Sequence, residues 1–137
     1  MSMADKPMNI FDISGRAMSA QLVRLNATAS NLANAGSVSG SEAQAYRAIR
    51  PVFSTVTEKP GVATVKVDQI VSSDTPAKMR HDPGHPLADA DGNVWESGVD
   101  SSAELVDMIE SARMYQNNVQ VLQTAKSLLL ETIRLGK

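Results

Sequence analysis

The sequence contains no cysteine in its 137 residues. Disulfide bonds and cysteine-ligated metal sites are therefore excluded. Aromatic residues make up only 4% of the chain, whereas seven residues are methionine, and this balance favours adaptable packing between helices over a large aromatic core. There is no basic cluster, and the formal net charge is −2, which argues against nucleic acid as a ligand.

The chain also lacks a long apolar run. No stretch approaches the ~20 residues of a membrane-spanning helix, and residues 1–8 lack the apolar core of a secretory signal. Classical secretion is therefore not expected. The length fits a single domain, with or without a small insert.

Both ends of the chain carry the periodicity of an amphipathic helix. Mostly apolar residues recur in alternating steps of three and four from Phe11 to Gly36 and again from Leu105 to Ile133. This spacing keeps one stripe on one side of a helix. Asn9 and Gly36 are the expected caps of the first helix, and Ser101-x-x-Glu104 is an expected capping box for the last.

These patterns predict a mainly α fold with a small β-rich insert. Its long N-terminal and C-terminal helices are expected to pair as an antiparallel coiled coil. Residues 9–36 and 101–136 would form one discontinuous helical domain, and residues 37–100 a β and loop insert, within a single unit spanning residues 1–137.

Glycine and the internal prolines concentrate in the insert. Two β-branched, partly alternating runs predict strands over residues 51–56 and 61–71, with a turn at Lys59-Pro60-Gly61. A third strand is expected within residues 75–80, followed by an irregular loop over residues 81–93.

The last helix is apolar on more than one side, because Leu128, Leu129 and Leu130 are consecutive and spread over roughly 200° of arc. A two-helix hairpin buries one stripe per helix, so the pair alone would be marginally stable. The additional apolar surface packs either on the middle of the same chain or on neighbouring subunits. The insert is too small to cover two long helices along their full length, which favours an assembly.

Two segments of the insert could be drawn as metal sites. His81 and His85 have one carboxylate between them, and the neighbouring prolines prevent them from stacking on a helix. Residues 89–92 resemble the start of an EF-hand loop, but this alignment puts Leu87 and Gly98 at positions that need carboxylates. Turns explain both segments better, so neither a metal nor a cofactor is expected.

Glu104, Asp107 and Glu110 could be imagined as carboxylates for acid–base chemistry. Their place in the first turns of a helix favours a solvated helix face instead. No nucleophile elbow, phosphate-binding loop or dinucleotide fingerprint is present. No catalytic residue and no small-molecule substrate are therefore expected.

Two asparagine-rich runs lie inside the predicted helices, at residues 30–34 and 115–118. Asparagine has a poor helix propensity, so such runs need a reason. Their amides either set the register of a helical seam, as a buried Asn does in coiled coils, or form ordinary exposed polar surface.

Several motifs in order resemble those of the bacterial flagellar rod and hook axial protein family, in particular those of the proximal rod. The likeness covers nearly the whole chain from Ile10 to Gly136. The motifs are Ser30-Asn31-Leu32-Ala33-Asn34-Ala35, Ala45-Tyr46-Arg47, Arg50-Pro51-Val52-Phe53, Asp82-Pro83-Gly84-His85-Pro86, Ala88-Asp89-Ala90-Asp91-Gly92, the run from Leu105 to Val119, and Thr124-Ala125-Lys126-Ser127-Leu128-Leu129-Leu130.

This resemblance implies a structural, non-enzymatic subunit of the flagellar basal-body rod, which crosses the periplasm and transmits torque for motility. Its partners would be other rod and basal-body proteins, copies of itself, and the flagellar type III export apparatus, with no cleaved signal peptide. The alternative is a soluble helical adaptor with a cytosolic partner. A third hypothesis, a small calcium-binding module, fails at two ligand positions of its loop.

The predicted functional residues fall into two sets. Residues expected to pack between subunits are Leu22, Leu25, Leu32, Leu105, Met108, Ile109, Tyr115, Val119, Leu122, Leu129 and Ile133. Residues that carry the family signature are Asn31, Asn34, Tyr115, Gln116 and Asn118.

Overall fold

The computed structural model describes residues 9–136. Two long helices enclose five strands and one 3₁₀ turn in the chain order α1 (Ile10–Ala33), β1 (Val38–Ser39), the 3₁₀ turn (Glu42–Gln44), β2 (Ile49–Lys59), β3 (Val62–Ser72), β4 (Lys78–His81), β5 (Asn93–Glu96) and α2 (Ser101–Leu135).

Helix α1 begins at a complete capping box. The Asn9 side chain accepts hydrogen bonds from the backbone N–H groups of Phe11 and Asp12, at 2.9 and 3.1 Å, and the Asp12 carboxylate accepts from the Asn9 N–H at 3.2 Å. The predicted N-cap is confirmed. The predicted C-cap is wrong: α1 ends at Asn34, whose N–H already bonds the carbonyls of the last turn, and not at Gly36.

The N-cap of helix α2 lies one residue before Ser101, the predicted cap. Asp100 is the N-cap, because its carboxylate accepts from the N–H groups of Ser102 and Ala103, at 3.0 and 3.2 Å. Glu104 takes no part in capping, so the predicted capping box is wrong. Its carboxylate instead accepts hydrogen bonds from Asn31 and Arg50.

Strands β2 and β3 form an antiparallel hairpin of 11 residues on each side. The turn between them lies at Pro60 and Gly61, as the sequence predicts, and Gly61 adopts a φ of +82° that favours glycine. Strand β2 extends beyond its predicted range of residues 51–56 at both ends, whereas β3 is displaced by one residue from its predicted range of 61–71. Irregular pairing at Val52/Phe53 and at Thr57/Lys59 breaks the alternation that would have indicated this length.

A second antiparallel sheet has the strand order β1-β5-β4. Trp95 in its central strand pairs with Ser39 on one side and Met79 on the other, and Val94 is fully buried. Only β4 falls near a predicted strand. Strands of two and four residues are too short to show alternation in the sequence, so the sequence predicts neither β1 nor β5.

Strand β2 of the hairpin runs antiparallel to α1. Ile49 at its open end contacts Asn31, Phe53 lies 6.0 Å from the Arg24 guanidinium, and Glu58 near the turn pairs with Arg16 at 3.2 Å. Strand β2 therefore lies against α1 over most of its length.

The two helices are antiparallel, but the predicted coiled coil is wrong. The end of α1 meets the start of α2 through Asn31 and Glu104, and Phe11 lines a common groove with Leu128. The buried side chains of the helices are small or polar rather than a seam of large apolar ones. They are Ser14, Ala20, Ala27, Thr28 and Asn31 of α1 and Glu104 and Ser111 of α2.

The predicted stripes fail because a three-four pattern of large apolar residues marks an amphipathic face without showing that the face is covered. On α1 the buried positions lie largely on the side opposite the predicted stripe, whose members Leu22 and Ala29 are exposed. With two antiparallel sheets beside the helices, the chain is α+β rather than mainly α. No helix in residues 9–136 is long and apolar enough to cross a membrane.

The observed packing and the predicted coiled coil differ in which alanine of α1 can be replaced by a larger residue without loss of stability. Ala27 is 3% exposed, whereas Ala29, a member of the predicted stripe, faces solvent. We expect Ala27→Leu to lower the free energy of unfolding by about 1–3 kcal/mol through overpacking, and Ala29→Leu to change it by less than about 0.5 kcal/mol. Urea unfolding followed by circular dichroism measures both. The opposite ranking would restore the coiled-coil arrangement.

Candidate assembly surface

Large apolar side chains remain exposed along both helices. Val106 is 63% exposed and Leu128 is 59% exposed, values that are unusual for so many neighbouring apolar residues of one chain. Those on the helices that are at least 36% exposed are Ile10, Phe11, Leu22, Leu105, Val106, Ile109, Met114, Val121, Leu128, Leu129, Leu130, Ile133 and Leu135.

An open groove of about 730 Å³ lies between the start of α1 and the second half of α2. No charged residue lines this terminal groove, so its polar rim is made of amides and hydroxyls only. Its lining consists of Ile10, Phe11, Asn117, Gln120, Val121, Thr124, Ala125, Leu128, Leu129 and Thr132.

A second apolar area, the outer patch, lies near the start of α2 and consists of Leu105, Val106 and Ile109. Glu110 and Arg113 border it. Ile109 lies three residues after Val106 and four after Leu105, so these side chains share one face of the helix. The buried residue Glu104 lies on the other side, which it shares with Ser111, seven residues later. The outer patch therefore points away from α1.

One polar group at the other end of the helix pair is fully buried. The Asn31 side chain has no exposed surface, and its amide makes four hydrogen bonds. Its Oδ1 accepts from the Ile49 N–H at 2.8 Å and from the Tyr46 hydroxyl at 2.9 Å, while its Nδ2 donates to the Ile49 carbonyl and to Glu104 Oε2, both at 3.0 Å. Every donor and acceptor of the amide is thereby used.

Glu104 connects this amide to an ion pair. Its side chain is 1% exposed, and Oε1 lies 2.5 Å from Nη2 of Arg50, which is 42% exposed. Nη1 of the same guanidinium reaches the Asp107 carboxylate at 2.8 Å. We call Asn31, Tyr46, Arg50, Glu104 and Asp107 the polar cluster. It joins α1, β2 and α2, and one guanidinium fork satisfies two carboxylates.

Two family models match separate parts of the chain. The model for flagella basal body rod proteins matches residues 11–40, and the model for the C-terminal part of the flagellar basal body rod FlgEFG proteins matches residues 90–135. These matches cover α1 and α2 with short extensions into the insert.

Curated relatives cover the whole length. The flagellar basal-body rod protein FlgC of Escherichia coli O6:H1 is 50% identical over 132 residues, which are 95% of this chain and 98% of that protein. The chain belongs to the FlgC family. FlgC of Salmonella typhimurium is 49% identical over the same shares, and FlgC of Buchnera aphidicola from Acyrthosiphon pisum is 39% identical over 95% and 98%. This FlgC family member is a structural rod subunit of the flagellar basal body.

The structure places the predicted packing residues of this FlgC family member in two environments. Five are about half exposed, namely Leu22, Leu105, Ile109, Leu129 and Ile133. Six are partly buried, namely Leu25, Leu32, Met108, Tyr115, Val119 and Leu122. Their part in packing between subunits stays a prediction.

The signature residues do not act as one group. Asn31 lies in the polar cluster, whereas Asn34 and Asn118 each donate to a carbonyl four residues earlier in their own helix, at 2.9 Å. Gln116 is exposed and Tyr115 is partly buried. Of the asparagines in the two runs, only Asn31 is fully buried and joins one element to another.

The sequence interpretation missed most of the polar cluster. The predicted solvated face is wrong for Glu104, which is buried, and Asp107 is paired with Arg50. Arg50 lies 54 residues before Glu104, so no local spacing connects them. The signal available in the sequence was Ser111, a small residue seven positions after Glu104 and therefore on the same helix face. The structure shows that it is also buried.

The two insert segments considered as metal sites form turns. The Asp89 carboxylate accepts from the N–H groups of Asp91 and Asn93, at 2.9 and 2.8 Å, and Gly92 has a φ of +77°. His85 Nδ1 accepts from the N–H of Leu87. Over residues 9–136 no group of three or more His, Asp or Glu side chains could hold a metal ion.

The ion pairs that Arg50 and Arg16 make between the hairpin and the helices should contribute differently to the free energy of unfolding. Arg50→Met leaves the buried Glu104 carboxylate without its cation, so we expect the free energy of unfolding to fall by about 3 kcal/mol. Arg16→Met breaks a pair whose side chains are 47% and 40% exposed, and we expect a loss below about 1 kcal/mol. Urea midpoints compare the two variants. Equal losses would mean that burial of Glu104 does not govern the effect.

Proposed function

We propose that this rod subunit assembles through its terminal helices into the shaft that crosses the periplasm and transmits torque. The observation that carries the proposal is the exposure of large apolar side chains at the terminal groove and at the outer patch. These two areas lie near opposite ends of α2 and on different sides of it. One subunit can therefore meet more than one neighbour.

The energy available from this surface is large for a small chain. Side chains such as Val106, Ile109, Leu128, Leu129 and Ile133 are about half exposed or more. Covering the remainder of five such side chains is worth on the order of 4–8 kcal/mol, at ~1.5–3 kcal/mol for each complete burial. Part of this free energy offsets the loss of translational and rotational freedom on association. Several contacts per subunit together would supply the remainder.

In this proposal residues 9–36 and 101–136 act as one discontinuous helical domain, and residues 37–100 as an insert beside it. Neighbours are other rod and basal-body proteins and copies of this chain. Delivery is by the flagellar type III export apparatus. Torque is carried by packing contacts, with no catalysis and no cofactor.

Charge placed on the exposed apolar areas tests the proposal. We expect Ile109→Glu and Leu128→Glu each to abolish rod assembly and motility, because a carboxylate buried between subunits costs several kcal/mol. Both positions are more than half exposed, so the helical circular dichroism and melting temperature of the free chain should stay near those of the unmodified chain. Swimming in soft agar and recovery of rods from purified basal bodies measure the outcome.

Gln44→Glu is the matched control, since it adds the same charge at an exposed position of the 3₁₀ turn, outside both apolar areas. It should preserve swimming. Normal rods and motility in the two helix variants would refute assembly through these areas.

A further inference from the structure

Away from the polar cluster, the ion pair and the cation–π contact between β2 and α1 do not fix how far the hairpin stands along the helix. Near its turn the hairpin is held by Arg16 and Glu58, two long exposed side chains that can follow a displacement. In the middle, Phe53 lies under Arg24 at 6.0 Å. The buried residues of α1 are small here, with Ala20 and Ala27 only 2% and 3% exposed. Such apolar packing is non-directional.

The polar cluster is directional. Both the N–H and the carbonyl of Ile49 bond the side-chain amide of Asn31, and that amide also meets Glu104 of α2. A one-residue slip of β2 would exchange its two faces. A two-residue slip that brought Pro51 opposite Asn31 would keep the faces, but proline has no N–H to donate. The paired amide contact cannot form after that slip.

Arg50 adds a second condition at the same place. Its guanidinium reaches Glu104 and Asp107, which lie three residues apart on one side of α2. A displaced β2 would leave the Glu104 carboxylate buried and unpaired. Because that loss is severe, the cluster penalises every other position of the hairpin relative to both helices.

We infer that the polar cluster sets the register of the hairpin along the helix pair, with Asn31, Arg50 and Glu104 as positioning residues and Pro51 as the residue that excludes the slip placing it opposite Asn31. The hairpin thus stands at one fixed height relative to the terminal groove and the outer patch. Its position in an assembled rod then follows from that of the helices.

The test separates register from stability. The triple variant Asn31→Leu/Arg50→Met/Glu104→Met replaces the buried amide and the ion pair with apolar side chains, a kind of change that often leaves stability intact. The amide and ion-pair contacts that tie β2 to the two helices in the polar cluster are then all removed. Since the chain has no cysteine, Ala63→Cys near the hairpin turn and Gln123→Cys on α2, both exposed positions, take spin labels cleanly. Pulsed electron paramagnetic resonance gives the distance distribution between them.

We expect the triple variant to melt near the temperature of the unmodified chain and to give a broadened or displaced distance distribution. The control Arg16→Met/Glu58→Met removes the exposed pair near the turn and should keep the distribution narrow. A folded triple variant with an unchanged narrow distribution would overturn the inference. If the triple variant does not fold, Asn31→Ser/Arg50→Lys decides. Serine cannot bond both groups of Ile49, and lysine offers a point charge in place of a fork, so broadening supports the inference and an unchanged distribution overturns it.

Discussion

The structure depends on a carboxylate that is buried within four residues of a helix start. Glu104 is 1% exposed, and an ionised carboxylate without partners is too costly to bury. Its two oxygens are satisfied by different elements, one by Arg50 of β2 and the other by Asn31 of α1. The helix pair and the open end of the hairpin therefore stabilise each other, because each supplies a partner for the buried carboxylate. The first half of α2 owes its position to this requirement.

The small buried residues of the helices have a consequence for the outer surface. Alanine, serine and threonine on the inner side bring backbones and polar groups close, but they bury little apolar area. The larger apolar residues are left on the outer sides, where Leu105, Ile109 and Leu128 are about half exposed or more. For a structural rod subunit this division is consistent. Directional polar contacts define the subunit, and the proposed assembly would use the non-directional apolar surface for contacts with neighbours.

Local chemistry was the part of this fold that the sequence revealed. The Asn9 cap and the Pro60-Gly61 turn each depend on residues within a few positions of one another, and both were predicted. Burial was not predictable in the same way. Glu104 looks like any acidic residue in the first turn of a helix, because its cation lies in a strand far along the chain. The coiled coil failed for the same reason, since periodicity shows that a face exists but not what covers it.

The two ends of the helix pair differ in the kind of interaction that they carry, and this difference explains how one subunit can be both well defined and dependent on an assembly. At the polar cluster every hydrogen-bonding group of Asn31 has a partner within the chain, so nothing is left for a neighbour to satisfy. At the terminal groove no charged group and few polar groups line the surface, so nothing within the chain specifies what lies against it. Apolar contact tolerates small displacements, whereas the amide and guanidinium contacts do not. In the proposed assembly, small adjustments would therefore fall on the apolar areas, while the open end of the hairpin keeps its geometry.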